Sequence, residues 1–303
     1  MRGSRPDQRI LRKPLAYDPS RTALYHPERC DTLFESGQTY SPPQLAVEAA
    51  RLAYYRAEDS PPERARLVDS LARVGFADLV VFADSKSGAA AFAARRGNDG
   101  AALISFRGTQ PDDYHDLIAD LRANLVEWPE SAGRVHQGFA LAVRALRPQI
   151  LEWLASANPD SSHLIMAGHS LGAAMATLAA SMWRPGWLVT IGSPRVGDAA
   201  FTATVQARHM VRFVDCCDAV TEVPPEVGGY THIEAKTYLT RNGRIVENPD
   251  KSFVTSDRLR ARIAYSFEYS WRFCRNVLVR DLADHAPINY ARVVFGADTI
   301  NPD

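Results

Sequence analysis

A glycine-flanked serine between an apolar strand and a small-residue helix limits most strongly what this chain can fold into. The apolar run 164–167 leads directly into G-H-S-L-G at 168–172, and the alanine-rich stretch after it predicts a helix over 171–183. A serine on a sharp strand-to-helix turn needs neighbours without side chains, because the two backbones nearly touch there. In this context the pattern predicts a nucleophile elbow with Ser170 as the nucleophile. Without that context, a surface Gly-Ser turn is the alternative.

Regular alternation of strands and helices after residue 138 indicates the fold class. Short apolar strands that alternate with helices predict a parallel sheet with helices on both faces. Three earlier β-prone runs, separated by turn sequences, predict antiparallel strands at the amino-terminal edge. The Asn242-Gly243 pair predicts a late hairpin with a type I′ turn. The predicted strands are 78–82, 89–93, 101–106, 163–167, 187–192 and 209–214, and the predicted helices of the second half are 138–156, 171–183, 198–207 and 256–283.

The chain of 303 residues is predicted to form a single α/β-hydrolase domain. Residues 1–40 are proline-rich without periodicity, which predicts an irregular amino-terminal arm laid on the domain. Residues 41–75 carry two helical patterns that open at Ser-Pro-Pro sequences. Residues 76–303 then hold the sheet core and the carboxy-terminal helices.

A serine nucleophile needs a base, and an acid to orient that base. The strand at 209–214 ends in D-C-C-D, so Asp215 and Asp218 are candidates for the acid; Asp218, deeper in the loop, is preferred. In α/β-hydrolases the acid and then the histidine follow the serine. Of the eight histidines, only His232 and His285 follow this acid loop. His285, in a loop between two helices, is the predicted base, and His232 is predicted to make a supporting hydrogen bond near the site.

The tetrahedral oxyanion of acyl transfer also needs hydrogen-bond donors. One is the backbone N–H of Leu171, directly after the nucleophile. The run F-R-G-T at 106–109 ends a predicted strand with a glycine, and it offers the N–H and hydroxyl of Thr109 as the second donor. By itself this run reads only as a strand end. His136 lies before the nucleophile and is interpreted as support for the fold.

Taken in order, these blocks resemble the class 3 (fungal-type) triacylglycerol lipase family. The resemblance spans about residues 100 to 290, and it implies an α/β-hydrolase fold and carboxylic ester hydrolysis without a metal or organic cofactor. It also implies that Ser170 is the nucleophile, Asp218 the acid and His285 the base, with Thr109 and Leu171 as oxyanion donors. The blocks are F-R-G-T at 106–109, I-A-D-L at 118–121, V-H-Q-G-F at 135–139, G-H-S-L-G at 168–172, G-S-P-R-V-G-D at 192–198, D-A-V at 218–220 with Pro224-Pro225, and D-H at 284–285.

Some positions depart from the family pattern. Leu117 stands where the family usually has tryptophan, and Ala173 follows the elbow where glycine is common. The segment 110–116, where true lipases carry an apolar lid, is short and polar, so it resembles the family's esterases; a solvated loop that covers nothing is the alternative. The predicted helix 256–283 carries Phe267, Trp271 and Phe273, which either line the acyl pocket or belong to the core.

The predicted function is therefore a serine ester hydrolase acting on short- to medium-chain acylglycerols or similar esters. A phospholipase or acyltransferase using the same triad, and a non-catalytic hydrolase-fold interaction protein, remain alternatives. A lipid or small-molecule ester is the expected partner, with transient contact to a lipid surface.

Composition excludes other classes. The 35 basic and 35 acidic residues cancel, which argues against a nucleic-acid partner. No apolar run reaches the length of a membrane span. No secretory leader is recognised, so a cytoplasmic location is predicted, with leaderless export as the alternative. Cys30, Cys216, Cys217 and Cys274 lack the spacing of a zinc or redox motif and are interpreted as reduced, buried residues.

Overall fold

The computed structural model describes residues 15–109, 124–233, 236–272 and 274–296, and they are organised around one eight-stranded sheet. The strand order is β1-β2-β3-β6-β7-β8-β9-β10, and β4 pairs with β5 in a separate ribbon. The strands are β1 Phe76–Ala83, β2 Ala90–Arg96, β3 Ala102–Phe106, β4 Leu125–Glu127, β5 Arg134–His136, β6 Leu164–His169, β7 Trp187–Ile191, β8 His209–Asp215, β9 Lys236–Leu239 and β10 Ile245–Glu247.

The middle of the sheet is parallel and its edges are antiparallel. Strands β3, β6, β7, β8 and β9 pair in parallel, while β1–β2–β3 and β9–β10 are antiparallel. The predicted fold class is thereby confirmed, including its antiparallel amino-terminal edge. The late hairpin is present, but Gly243 takes a φ of +75° and Asn242 does not share the left-handed region, so the turn is not type I′.

Helices cover both faces of this sheet. They are α1 Arg21–Tyr25, α2 Pro42–Leu52, α3 Pro61–Ala72, α4 Gln137–Ala157, α5 Leu171–Trp183, α6 Ala199–Thr202, α7 Lys251–Glu268, α8 Arg280–Ala283 and α9 Pro287–Gly296. One core cluster joins α2 and α9 to one face, and a second joins α4 and α5 to the other. Strand β6 is buried along its whole length, since it is covered from both sides.

The predicted helix 256–283 is wrong, because the structure divides this stretch. Helix α7 ends at Glu268, a 3₁₀ turn follows over Ser270–Arg272, and α8 begins only at Arg280. Between them the Val277 N–H donates to the Pro19 carbonyl at 2.9 Å in an extended segment. A hydrogen bond to the amino-terminal arm thus interrupts the helix that the sequence pattern alone predicts. Helix α6 is likewise shorter than the predicted 198–207.

The described part of the amino-terminal arm, residues 15–40, packs against the carboxy-terminal helices. The Asp18 N–H donates to the Asn289 side-chain oxygen at 2.9 Å, and the Asn289 amide donates back to the Asp18 carbonyl at 2.9 Å. The arm is more regular than predicted, because it includes α1 and a 3₁₀ turn over Pro27–Arg29. Among the described helices, none combines the length and apolar character needed to cross a bilayer.

Candidate active site

Ser170 lies at the sharp turn between β6 and α5 that the sequence predicts. Its φ of 58° and ψ of −125° fall in a region that side-chain-bearing residues rarely adopt. The flanking glycines are required by close packing: a Cβ on Gly168 would lie 2.2 Å from the Gly172 backbone, and one on Gly172 would lie 2.1 Å from the Phe106 carbonyl oxygen. The turn therefore holds the serine in a strained conformation where strand and helix backbones meet.

Asp218 and His285 form a buried hydrogen-bonded pair. His285 Nδ1 lies 2.8 Å from Asp218 Oδ2, and both side chains are fully buried. Because the carboxylate only accepts, this contact assigns the proton to Nδ1 and makes Nε2 the basic nitrogen. The Val220 N–H donates to the other carboxylate oxygen at 2.9 Å, and the Tyr290 hydroxyl donates to Oδ2 at 2.5 Å.

The serine and this pair meet at the carboxyl ends of neighbouring strands. The Ser170 N–H donates to the Ile191 carbonyl at 3.0 Å. The next residue, Gly192, has a φ of +58°, and a Cβ there would lie 2.9 Å from Asp218 Oδ2 and 3.1 Å from His285 Nδ1. The Ser170 hydroxyl makes no hydrogen bond with any described residue. Catalytic hydrogen bonds often tighten only when substrate binds.

His169 connects the elbow to the predicted base, a role the sequence analysis missed. Its ring lies 4.5 Å from the His285 ring, centroid to centroid, and its Nε2 lies 2.8 Å from the His285 carbonyl oxygen. Since a carbonyl only accepts, Nε2 carries the proton and Nδ1 accepts from the Tyr54 hydroxyl at 2.6 Å. Burial, and then the neighbouring His285, lower the pKa of His169 well below its usual value, which fits this neutral form.

The segment that ends in Thr109 packs against the turn that precedes Leu171. Gly108 packs so tightly that a Cβ would lie 2.7 Å from the His169 carbonyl, which places Thr109 beside the elbow. Leu171 is the first residue of α5, and the first N–H groups of a helix have no intrahelical partner. The segments that carry the two predicted oxyanion donors are therefore packed against each other.

Asp215 and Asp284 are both buried at this edge, but they differ in environment. In the described chain, no group donates a hydrogen bond to either Asp215 side-chain oxygen. Burial and the Asp284 charge raise the pKa of Asp215 well above its usual value, because both disfavour its charged form. Asp284 accepts from the Tyr17 hydroxyl at 2.7 Å, the Cys217 N–H at 2.9 Å and Arg280 Nε at 3.0 Å. It ties the loop of His285 to the loop of Asp218, a connection that sequence reasoning did not find.

The two other candidate histidines lie outside the pair. His232 Nε2 donates to the Thr221 carbonyl at 2.8 Å, so it contacts the loop that follows Asp218, in keeping with the supporting role predicted for it. His136 stands at the start of α4, where its Nδ1 accepts from the Phe139 N–H at 3.4 Å. Each of these two histidines therefore forms a hydrogen bond with a backbone group.

The predicted aromatic wall is not observed. Phe267 is 80% exposed and Trp271 is 63% exposed, so these two side chains belong neither to the core nor to an enclosed acyl pocket. Phe273 lies outside the described residues, as does the polar segment 110–116 that was considered as a lid.

One group among the described residues has a donor set for a metal, namely Cys216, Cys217 and Asp284. It does not fit an ion well. Asp284 already accepts several hydrogen bonds, and the contact with Cys217 together with burial raises the pKa of the Cys216 thiol. No step of the chemistry below uses this group. Of the cysteines predicted to be buried, Cys274 is exposed and Cys30 is half-buried.

The fold, with its strained serine elbow and adjoining Asp–His pair, defines a protein of the α/β-hydrolase class. The family model described as lipase (class 3) matches residues 103–228. The predicted resemblance to this family is thereby confirmed over that segment.

Individual relatives that match the chain are also named as lipases. The chain is 34% identical over 130 residues to secreted mono- and diacylglycerol lipase A of Penicillium cyclopium, covering 40% of this chain and 42% of the relative. It is 37% identical over 114 residues to secreted mono- and diacylglycerol lipase 1 of Fusarium solani, covering 35% and 34%. A structure of the Rhizomucor miehei lipase propeptide complex superposes with a TM-score of 0.55 at 23% identity, covering 68% of each chain, and shows the shared fold.

The matched segments are less than half the length of these curated relatives. The predicted cytoplasmic location is wrong on this comparison, because both relatives are named as secreted.

Proposed function

We propose that this chain is a serine hydrolase that cleaves carboxylic esters through an acyl-enzyme. The observation that carries the proposal is the strained Ser170 elbow beside the 2.8 Å contact between His285 and Asp218. We assign Ser170 as nucleophile, His285 as base and Asp218 as the acid that orients the base. Thr109 and Leu171 donate to the oxyanion. The confirmed similarity to class 3 lipases supports the reaction class.

The reaction follows from these assignments. His285 Nε2 takes the hydroxyl proton of Ser170 as Oγ bonds to the ester carbonyl carbon, and the oxyanion that forms accepts from Leu171 and Thr109. The imidazolium, stabilised by Asp218, then gives its proton to the leaving alkoxide, and the alcohol departs. A water, deprotonated by His285, attacks the acyl-serine carbon. The bond from that carbon to Ser170 Oγ then breaks as His285 returns the proton to Oγ, which releases the carboxylic acid and restores the serine.

We propose short- to medium-chain acylglycerols or similar esters as substrates. Two mono- and diacylglycerol lipases among the relatives support an acylglycerol. The polar sequence at 110–116 supports shorter chains, because it lacks the apolar face of an oil-surface lid. A maximum on emulsified long-chain triglyceride, with a jump in rate at the solubility limit, would contradict this preference.

The exposed face of α7 supports transient contact with a lipid surface. Leu259, Ile263 and Phe267 are spaced four residues apart, so they share one face, and they are 58%, 51% and 80% exposed. Trp271, in the 3₁₀ turn after α7, is also exposed, and the Arg272 guanidinium lies 4.4 Å from its ring centroid, a pairing that suits a membrane–water interface.

Vesicle flotation tests this contact. The variant Ile263→Gln with Phe267→Gln is expected to lose vesicle binding while retaining hydrolysis of a soluble ester. The matched control is Val68→Gln, which changes an exposed apolar residue on α3. Equal binding by both variants would rule out the α7 face.

We also propose that residues 1–303 form one hydrolase domain and that it acts outside the cell. The eight-stranded sheet, whose strands run from residue 76 to residue 247 and are covered on both faces, supports one domain. The secreted relatives support the location. Limited proteolysis that yields two stable folded fragments would contradict the single domain, and retention of the native protein inside its cells would contradict the location.

The decisive experiment is hydrolysis of p-nitrophenyl esters across chain length. Ser170→Ala is expected to lower the rate by about 10⁴-fold or more. Ser156→Ala, an exposed serine whose hydroxyl bonds only to the Trp153 carbonyl at 3.0 Å, is the control and should leave the rate unchanged. A Ser170→Ala variant with full activity would refute the nucleophile.

A fluorophosphonate probe separates the remaining alternatives. Labelling of the wild type but not of Ser170→Ala is expected, and failure to label a folded wild type would favour a non-catalytic interaction protein. Product analysis with phospholipids, and with an added alcohol in water, would detect phospholipase or acyltransferase activity on the same triad.

A further inference from the structure

A cavity whose lining includes none of Ser170, Asp218 and His285 lies beside strands β8 and β9. It has a volume of about 440 Å³ and lies between strands β8 and β9, the amino-terminal half of α7, and the loop that follows Asp218. A volume of this size corresponds to roughly fifteen water molecules. It therefore has room for a tetrahedral anion with a small organic substituent.

Among the described residues, five basic side chains line this cavity, and they outnumber the two carboxylates described there. The carboxylates belong to Glu222 and Glu226, and they are already engaged: Glu222 lies 2.8 Å from Arg258, and Glu226 lies 3.0 Å from Arg195. The other three basic residues, Arg212, Lys236 and Lys251, have no carboxylate within ion-pair distance in the described chain. The cavity thus holds excess positive charge.

Arg212 is the most unusual of these residues. It is 7% exposed, it points from β8 into the cavity, and its guanidinium makes no hydrogen bond or ion pair with any described residue. A buried charge without a partner is costly, and proteins normally pair it. Structural arginines bond to carbonyls or carboxylates, as Arg195 does with the Pro224 carbonyl at 3.0 Å. Arg212 has no such structural partner.

The ionisation of neighbouring groups reflects the same excess of positive charge. Burial, and then Arg195, lower the pKa of Arg212 to about 10. Burial, then Arg258 and Arg212, lower the pKa of Lys236. Burial and Arg212 also lower the pKa of His232 well below its usual value, so this ring is neutral and bonds to the Thr221 carbonyl. A bound anion would offset the unfavourable burial of positive charge that these lowered pKa values reflect.

We propose that this cavity is a binding site for a phosphate-type oxyanion, held by Arg212 and Lys236 with Lys251 at its mouth. A planar guanidinium donates two parallel hydrogen bonds to phosphate oxygens, and lysine ammonium groups supply point charges beside them. Free phosphate, a small phosphate ester and the headgroup of an anionic lipid share this chemistry.

The site adjoins the loop that carries the proposed catalytic acid. Arg258 Nε donates to the Cys216 carbonyl at 2.7 Å, and Arg195 donates to the Glu222 and Pro224 carbonyls, so cavity side chains hold both ends of that loop. The site itself does not depend on the triad. Ser170→Ala is therefore expected to bind the anion as the wild type does, which separates this proposal from the proposed hydrolase activity.

Thermal unfolding of the full chain at constant ionic strength tests the site. Millimolar phosphate or glycerol 3-phosphate is expected to raise Tm by about 3 °C, while equivalent chloride has no effect. Arg212→Met should abolish this rise. In phosphate-free buffer it should unfold no earlier than the wild type, because it removes an unpaired charge. Arg64→Met, at an exposed position on α3, is the matched control and should keep the rise.

A second variant and a vesicle arm complete the design. If Arg212→Met does not fold, Lys236→Gln is expected to weaken the phosphate-dependent rise. If the protein binds vesicles containing phosphatidic acid, and this binding requires Arg212 and is competed by glycerol 3-phosphate, the ligand is a lipid headgroup. If phosphate raises Tm but the protein does not bind these vesicles, the ligand is a soluble phosphate. No rise in the wild type, or an equal rise in Arg212→Met, would overturn the proposal.

Discussion

Replacing Asp284 by asparagine is expected to destabilise this protein strongly, although the two side chains have the same size. The carboxylate is fully buried and accepts hydrogen bonds from Tyr17, Cys217 and Arg280. An asparagine offers a single acceptor oxygen, and its amide nitrogen would face donors. Arg280 is 8% exposed and would be left with an uncompensated charge. Breaking a buried ion pair in this way costs about 3–5 kcal/mol.

That cost translates into a large change in melting temperature. For a domain of this size, 1 kcal/mol corresponds to about 2–4 °C, so Asp284→Asn is expected to lower Tm by roughly 10 °C. The matched control is Asp281→Asn, three residues earlier on α8, whose partner Arg262 is 50% exposed. Such a surface pair contributes less than about 1 kcal/mol. Circular dichroism melts measure both variants, and equal shifts would refute the role assigned to Asp284.

Three further predictions concern the triad and its surroundings. Gly192→Ala is expected to lower kcat by about 10²-fold or more, because the new Cβ would lie 2.9 Å from the Asp218 carboxylate; wild-type rates on a p-nitrophenyl ester would contradict this. Tyr290→Phe removes a 2.5 Å hydrogen bond to Asp218 and should lower kcat about tenfold with KM unchanged. His169 and His232 have lowered pKa values in the folded state, so the unfolded state binds more protons. The free energy of unfolding therefore falls as the pH drops below about 6.5, by up to about 1.4 kcal/mol per pH unit for each histidine. The free energy of unfolding of His232→Gln, measured with urea between pH 7 and pH 5, should depend less steeply on pH than that of the wild type. An unchanged pH dependence would contradict this prediction.

The sequence predicted those parts of the fold that are encoded locally. The elbow is specified by a few consecutive residues, since Gly168 and Gly172 pack within the same turn that presents Ser170. The strands of the sheet follow from short apolar runs and turn residues. These signals need no knowledge of distant partners, and the structure agrees with them.

Features that depend on distant partners were missed. Tyr54 reaches His169 from the turn after α2, and Tyr290 reaches Asp218 from α9, through contacts between residues far apart in the chain. No periodicity marks a tyrosine for such a contact. The helix predicted over 256–283 failed for the same reason, because the partner that interrupts it is the backbone near Pro19. Local pattern sets what a segment prefers, and tertiary hydrogen bonds decide between close alternatives.

The triad geometry therefore depends on parts of the chain well outside residues 103–228, which match the family model. The proposed base, His285, lies beyond that segment, and Asp284 anchors it to Tyr17 in the amino-terminal arm. Tyr54, upstream, sets the tautomer of His169 by donating to its Nδ1 at 2.6 Å. The matched segment supplies the proposed nucleophile and acid, whereas the flanking segments supply the proposed base and hold it in place. The arm and the carboxy-terminal helices therefore belong physically to the proposed active site, because Tyr17 donates to Asp284 and Tyr290 donates to Asp218.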